Sequence, residues 1–372
     1  MAVLTLNAGS SSLKFALFEG TRVVLRGAFE SITDSPAASV TAADGRSLDP
    51  PHVQGAGHEA VLPALFAWTQ QHLDGAHLKA VGHRVVHGGD TFLGPVLVDD
   101  PVLAGLEALV PFAPLHQPHN IAAIRAAQAA EPGLPQIACF DTAFHQTMPP
   151  VARRQALRDA LEVRRFGFHG LSYEWIAGHL PPSLAQGRVI IAHLGSGASL
   201  CALRAGVSVE TTMSTTPLDG LVMGTRCGTL DPGVVLWLVR QHGVKATEHM
   251  LYYEAGLLGV SGIGADMRKL HAAGPAAEAA IELFVYRIVQ YAGALASVLG
   301  GLDGLVFTGG IGEHDGTVRR AVCAKLGWLG IELDPQASAP GRISRPGSAA
   351  EAWVIPTDEE AVIARQTARM VP

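Results

Sequence analysis

The sequence predicts an α/β protein built from two similar domains, and three observations carry that prediction. The chain has 372 residues, too many for one small core, with 48% apolar and only 16% charged residues, the balance of a well-buried globular protein. Apolar runs with strand character alternate with segments of helical character along most of its length. The opening segment also recurs. When the sequence is shifted by 186 positions, Val3, Gly9, Ser10, Ala16, Leu17 and Gly20 fall on Val189, Gly195, Ser196, Ala202, Leu203 and Gly206. Both copies read as an apolar strand, a Gly/Ser turn and a second apolar strand, which points to internal duplication with the ligand site in the cleft between the two halves.

The first strand pair comes from Val3–Leu6 and Phe15–Phe18, joined by Asn7-Ala8-Gly9-Ser10-Ser11-Ser12-Leu13-Lys14. That turn offers small residues, hydroxyls and backbone N–H groups, followed by a lysine, and can wrap a phosphate. An ordinary Gly/Ser hairpin has the same composition. A strand is expected over 80–86, a helix over 120–130 and a strand over 136–140. A helix over about 275–299 then leads to a strand over 304–308, the glycine turn Gly309-Gly310-Ile311-Gly312 and a helix over about 317–326. Thr357-Asp358-Glu359-Glu360 reads as a capping box opening a last helix, 359–370. Segments 31–58 and 335–350, rich in Ala, Ser, Pro and Gly, are expected to be surface excursions.

Composition narrows the function classes. A net charge of −6 leaves no basic excess for a nucleic-acid footprint. Cys139, Cys201, Cys227 and Cys323 lie far apart with no C-x-x-C pair, as expected of reduced thiols in the cytoplasm. No signal peptide is expected at the N-terminus. The apolar stretch 291–310 is broken by Asp303 and several glycines, so no membrane span is expected there.

Polar residues gather where strands should end. There is no G-x-x-x-x-G-K-[ST] loop. The turns Gly195-Ser196-Gly197 and Gly309–Gly312 each let backbone approach a nucleotide, and ordinary tight turns explain them about as well. Arg84 lies inside an apolar strand, where it pairs either with a buried carboxylate or with an anionic ligand. His83 and His87 have i,i+4 spacing, which serves a metal only on a helix, and this run reads as a strand. Asp141 follows a strand, His169 lies between Phe168 and Gly170, and Arg226 sits in a Gly-flanked turn. Each alone reads as an ordinary core or surface residue. Together they supply an acid, a histidine and an arginine, which is the equipment of phosphoryl transfer.

The segments Asn7–Phe15, Gly82–Gly89, Phe140–Pro149, Arg165–Ser172, His193–Ser199, Pro217–Pro232, Phe307–Glu313 and Pro356–Glu360 resemble, in order, those of the acetokinase family. The resemblance runs from Val3 to about Thr367. It implies the sugar kinase/actin/heat-shock ATPase superfold: two duplicated ribonuclease-H-like domains with an inter-domain active-site cleft. By this resemblance residues 1–148, completed by the helix 359–372, form the N-terminal domain, and residues 149–358 bind nucleotide. The implied reaction is Mg²⁺-dependent transfer of the ATP γ-phosphoryl group to acetate, giving acetyl phosphate and ADP, in a cytoplasmic homodimer.

The resemblance also implies roles. Asn7 and Glu359 help hold Mg²⁺, or Mn²⁺ in its place, largely through water. Ser10, Ser12 and Lys14 face the phosphates. Arg84 clamps the acetate carboxylate, and Val86, Leu115, Phe168 and Pro217 surround its methyl group, with His116 nearby. His169 and Arg226 stabilise the transferring group, while Asp141 orients the acyl-phosphate end. The nucleotide is held by His193, Leu194, Gly195, Ser196 and Gly197, by Asp266, Met267 and Arg268, and by Gly310, Ile311, Gly312, Glu313 and His314. The chain departs from the family pattern at Ser196, Asp358 and His314, where Asn is common, and at Thr229, where Asp is frequent. These departures bear on nucleotide preference, not on reaction type. A propionate or butyrate kinase of the same family is the alternative enzyme. An Hsp70-like ATPase is the alternative class, and Arg84, His169 and Arg226 argue against it.

Overall fold

The computed structural model describes residues 2–73 and 77–371. The chain forms two compact units: the first comprises the residues up to Phe144 together with those from Asp358 onward, and the second is His145–Thr357.

The first unit contains β1 (Ala2–Ala8), β2 (Ser12–Glu19), β3 (Arg22–Glu30), β4 (Ala37–Ala42), β5 (Ser47–Leu48), β6 (Leu78–Val85), β7 (Val96–Leu97) and β8 (Gln136–Phe140). They make one sheet in the order β5-β4-β3-β2-β1-β6-β8-β7. β1, β2 and β3 are antiparallel, whereas β6 and β8 continue parallel to β1. The sheet is covered on both faces, so the central strands are apolar throughout rather than alternating. Leu4, Leu6 and Phe15 pack with Leu62 and Phe66 of the helix His58–Gln70 and with Ala123 of the helix Gln117–Ala130. Val3, Ala16 and Phe18 pack with Ala364 of the C-terminal helix Glu359–Met370. That helix lies unusually close to β6. A Cβ on Gly82 would fall 2.2 Å from Thr367 Oγ1 and 2.6 Å from Ile363 Cγ2, so only glycine fits there.

The second unit contains β9 (Arg188–Leu194), β10 (Ala198–Arg204), β11 (Val207–Thr211), β12 (Gly304–Thr308), β13 (Gly341–Arg342) and β14 (Glu351–Val354). Their order is β11-β10-β9-β12-β14-β13. β9 pairs antiparallel with β10 and parallel with β12, which pairs parallel with β14. Each unit therefore carries the same five-stranded core, three antiparallel strands followed by two parallel ones. This is the duplicated ribonuclease-H-like arrangement that the resemblance implied.

The duplication is real, but its two turns differ in length. Across the first turn Ala8 pairs with Leu13, and across the second Leu194 pairs with Ala198. Four residues (9–12) separate the first pair and three (195–197) the second, so the return strands correspond with a shift of 185, not 186. The sequence matches Ala16/Ala202 and Leu17/Leu203 are out of register, because one deleted turn residue moves every partner by one.

The strands 136–140 and 304–308 and the helix 359–370 lie where the sequence placed them. The helix expected from 120 begins at Gln117, because Pro118 in its first turn has no N–H to lose and suits a helix start. The long helix is Glu278–Leu299, preceded by a separate 3-10 turn, Gly274–Ala277. Segment 31–58 is not wholly an excursion. Its Ala37–Ala42 forms β4, between β3 and the two-residue β5, and the mostly exposed small residues of β4 hid the signal; only Val40 of β4 is buried. Met267–Leu299 is long and apolar enough to cross a membrane by length and composition alone; within this unit its Phe284, Ile288, Ala292 and Leu295 are buried.

Candidate active site

The parallel strands β1, β6 and β8 lie side by side, so their C-terminal ends bring three polar residues together at one sheet edge, where open α/β sheets bind ligands. Asn7 stands near the end of β1, Arg84 near the end of β6, and Asp141 directly after β8. Glu359 joins them from the first turn of the C-terminal helix. Arg84 donates from Nε and Nη2 to Asp141 Oδ2, at 3.1 and 2.6 Å, and from Nη1 to Asn7 Oδ1 at 3.1 Å. Its Nε lies 3.9 Å from the Glu359 carboxylate. These hydrogen bonds occupy three of the guanidinium's five N–H groups. Of the two partners the sequence left open for Arg84, the structure shows the buried carboxylate.

The charges in this cluster are strongly coupled. Burial works against the Arg84 charge, but Asp141 and Glu359 outweigh it and hold the guanidinium above its ordinary range. Burial raises the Glu359 carboxyl above its ordinary value; Arg84 opposes this and the Asp141 charge adds to it. Glu360 is raised by burial and then by the Glu359 charge. Asp141 is 1% exposed, and its Oδ1 has no hydrogen-bond partner.

Around this cluster, Ser10 is exposed in the first turn, Ser12 is half-buried, and Lys14 is exposed on β2 opposite Asn7. Gly9 N–H closes the turn on Ser12 O at 2.8 Å. Val86 is buried, and Leu115 and His116 precede the helix Gln117–Ala130. Two residues that the sequence reading missed hold this region in place. Asn120 accepts from Val86 N–H at 3.1 Å and donates to Ala8 O at 2.9 Å. Gln117 accepts from His87 N–H and donates to His87 O, at 3.2 and 3.0 Å. The available signal was a pair of amides spaced i,i+3 on a buried helix face. His83 pairs with Gln136 at 2.7 Å.

In the second unit, His169 precedes the helix Gly170–Gly178 with a left-handed backbone (φ 58°). Its Nδ1 is 2.8 Å from Ser199 Oγ, which also bonds Tyr173 Oη. Its ring stacks on His193 at 4.2 Å, and His193 Nδ1 is 2.8 Å from Ser172 Oγ. Arg226 is buried and donates to Pro217 O at 2.6 Å. Both side chains converge on the second turn: a Cβ on Gly197 would lie 2.7 Å from Arg226 Nη2 and 3.2 Å from His169 Nε2. Glycine at 197 thus leaves a space bounded by a histidine and an arginine. Ser199 and Tyr173 were missed as supports of His169, although both lie within or beside quoted motifs.

The remaining nucleotide-binding candidates surround the same turn. Leu194 ends β9, and Ser196 O accepts from Gly224 N–H at 3.0 Å. β12 neighbours β9, which places Gly310, Ile311, Gly312 and His314 in a short helix beside Gly195. Phe168 is buried beside His169. Asp266 caps the helix Met267–Ala273 through Arg268 N–H, and its hydrogen bonds from Arg268 bring its carboxyl down to about 2. The Glu313 carboxylate is engaged within the protein: Oε1 accepts from Gly309 N–H, Thr308 Oγ1 and Thr357 N–H, at 2.9, 3.3 and 3.1 Å.

The donor set at the first cluster suits a hard cation. Asn7 Oδ1, the unpartnered Asp141 Oδ1 and Glu359 are all oxygen ligands. Among the described residues no three His, Cys, Asp or Glu side chains are grouped to hold a metal by themselves. Water or ligand oxygens would have to complete the shell, as Mg²⁺ ordinarily requires.

The chain as a whole is similar to known proteins. The acetokinase family model matches residues 2–365. An acetate kinase of Rhodopseudomonas palustris is 52% identical, covering 99% of this chain and 98% of that protein. An acetate kinase of Deinococcus radiodurans is 45% identical, covering 100% and 98%. Among solved structures, the Porphyromonas gingivalis acetate kinase has a TM-score of 0.84 at 34% identity, covering 99% of each chain. A Francisella tularensis propionate kinase has a TM-score of 0.91 at 36% identity, covering all of both. With the family model spanning nearly all of the sequence and relatives alike over their full length, the chain belongs to the acetokinase family.

Proposed function

We propose that this chain is an acetate kinase, transferring the γ-phosphoryl group of ATP reversibly to acetate. An acetate oxygen attacks the γ-phosphorus, the bond to the β–γ bridging oxygen breaks, and acetyl phosphate and ADP form. No base is needed, because acetate is already ionised at neutral pH. The task is to bring two anions together in line and offset their repulsion.

The observation that carries this reading is the Arg84 cluster. A guanidinium fixed by Asp141 and Asn7, with two N–H groups to spare, fits a small carboxylate. Val86, Leu115, Phe168 and Pro217 are the apolar residues assigned to its methyl group, with His116 beside them in this assignment. His169 and Arg226 stabilise charge on the transferring group. Ser10, Ser12 and Lys14 receive phosphate oxygens. His193–Gly197, Asp266–Arg268 and Gly310–His314 hold the nucleotide, with Glu313 acting through the backbone it binds. Asn7, Asp141 and Glu359 would hold Mg²⁺, or Mn²⁺, which when bound neutralises charge on the phosphate oxygens. Work in the cytoplasm as a homodimer is what the family resemblance implies for the enzyme.

A second reading, propionate kinase, is favoured by the likeness to the Francisella structure that carries that name. One methylene in an apolar pocket shifts preference by only about 1–3 kcal/mol. Acyl phosphate formed from ATP, Mg²⁺ and acetate, propionate or butyrate, trapped as the hydroxamate, tests both. A higher kcat/KM for acetate is expected. Equal or reversed values would transfer the assignment to the longer acid, and no acyl phosphate from any of them would remove the kinase reading.

A further inference from the structure

The C-terminal helix that carries Glu359 is tied to β3 by a residue no motif singled out. Arg26 donates from Nη1 to Asp358 Oδ1 at 3.0 Å and from Nη2 to Asp358 Oδ2. The same Nη1 lies 3.5 Å from Glu360 Oε2. Asp358 is the helix cap, and its Oδ1 also accepts from Ala361 N–H at 3.0 Å. Arg26 is itself oriented over the Phe18 ring, 5.8 Å from its centroid, and Phe18 packs in the core with Ala364 of the same helix.

We infer that Arg26 is a positioning residue for Glu359: by gripping the acids on either side, Asp358 and Glu360, it fixes the helix start and aims the Glu359 carboxylate at the Arg84 cluster. This rests on the reading of Glu359 as a metal-holding group. Three successive carboxylates repel one another, and a two-pronged guanidinium is suited to fix one cap carboxylate while offsetting its neighbour. Arg84 restrains Glu359 from one side, at 3.9 Å, and Arg26 restrains its two neighbours. A cavity of about 420 Å³, lined by Lys14, Arg26, Ser39, Thr41 and Glu360, adjoins the pair, so a shortened side chain at 26 is replaced by water and not by a buried unpaired charge.

The test is Mn²⁺ binding in the presence of ADP, followed by the EPR signal of free Mn²⁺, for the full chain and the variants Glu359→Gln, Arg26→Gln, Arg26→Lys and Arg26→Gln with Asp358→Asn. Glu359→Gln should weaken Mn²⁺ binding. Arg26→Gln should weaken it about three- to tenfold, the range of a partly exposed two-pronged pair, and Arg26→Lys should weaken it less. The double variant should recover most of the loss, because Asn caps a helix without needing a counter-charge. A purely structural Arg26 would lower thermal stability without moving Mn²⁺ affinity. If Arg26→Gln binds Mn²⁺ as the parent does while Glu359→Gln does not, or if the double variant is no better than Arg26→Gln, the inference is overturned. If Glu359→Gln itself binds normally, it is the metal reading of Glu359 that fails.

Discussion

Arg84 places two of its donors on a single oxygen of Asp141, Oδ2, and leaves the other, Oδ1, buried without a hydrogen-bond partner. A pair serving stability alone would be expected to use both oxygens, because an unsatisfied buried acceptor costs about 1–3 kcal/mol. The one-sided grip orients the guanidinium, and under the proposed function the second oxygen is the one that serves the cation. Asp141→Ala should therefore fail twice. Stability should fall by about 3–5 kcal/mol, because Arg84 loses its main counter-charge, and the acetate KM should rise. Urea unfolding and steady-state kinetics on the same preparation check both; an unchanged acetate KM would reduce Asp141 to a structural role.

Gly197 predicts a separate effect in the second unit. Gly197→Ala would drive a methyl group to 2.7 Å from Arg226 Nη2 and 3.2 Å from His169 Nε2. Arg226 must shift and His169 must give by a few tenths of an ångström, so under their proposed role in phosphoryl transfer kcat should drop at least tenfold while the melting temperature changes by only a few degrees. Arg226→Ala should share that pattern, depressing kcat more than it raises the ATP KM.

Ser199 supports His169 through Nδ1, and Tyr173 supports Ser199. With the phenol as donor to Ser199, the serine hydroxyl is left to donate to Nδ1, and this arrangement predicts Nε2 as the protonated nitrogen facing Gly197. In ¹⁵N-histidine-labelled protein, His169 should appear as the Nε2–H tautomer, and Ser199→Ala should mix the tautomers and lower kcat. An Nδ1–H signal in the parent protein would contradict this assignment.

Acid should unfold the protein through buried histidines that have no proposed catalytic role. Burial brings His83 and His145 down from 6.5 to about 4, each partly offset by a hydrogen bond, to Gln136 and to Phe168 O respectively. Between about pH 6.5 and 4 the unfolded chain binds protons that the folded chain refuses, so stability falls as pH falls through that window. Each group's contribution falls by about 3 kcal/mol in full across that window, about 2 kcal/mol of it between pH 7 and 5. Unfolding free energies at pH 7 and 5 should differ accordingly, and His83→Gln should flatten the slope. A slope unchanged by that substitution would refute the assignment for His83.

Much of the fold was legible because strong local signals agreed with the tertiary outcome. Gln136–Phe140 and Gly304–Thr308 are short apolar runs bounded by breakers, and Asp358 is a plain cap signal. The duplication was legible in β1 and β9, whereas the one-residue difference between their turns was not, because small residues match by chance in either register. The candidates Asn7, Arg84, Asp141, His169 and Arg226 stood out in the sequence because polar residues there interrupt apolar strands or tight turns. Residues that act through others left no such mark. Asn120, Gln117, Ser199 and Arg26 look like ordinary helix or strand residues until pairing across the sheet shows what they hold. Glu313 shows the converse: a motif residue whose carboxylate is occupied by Gly309, Thr308 and Thr357.

The central claim is a division of labour, with the carboxylate substrate gripped by Arg84 and the phosphoryl group handled by His169 and Arg226. It is tested most directly by the acetate and ATP KM values of Arg84→Ala beside those of the parent enzyme. The account predicts an acetate KM raised at least tenfold, the scale of a lost charged hydrogen bond, with a much smaller change for ATP. An acetate KM equal to that of the parent, or a rise confined to ATP, would contradict it.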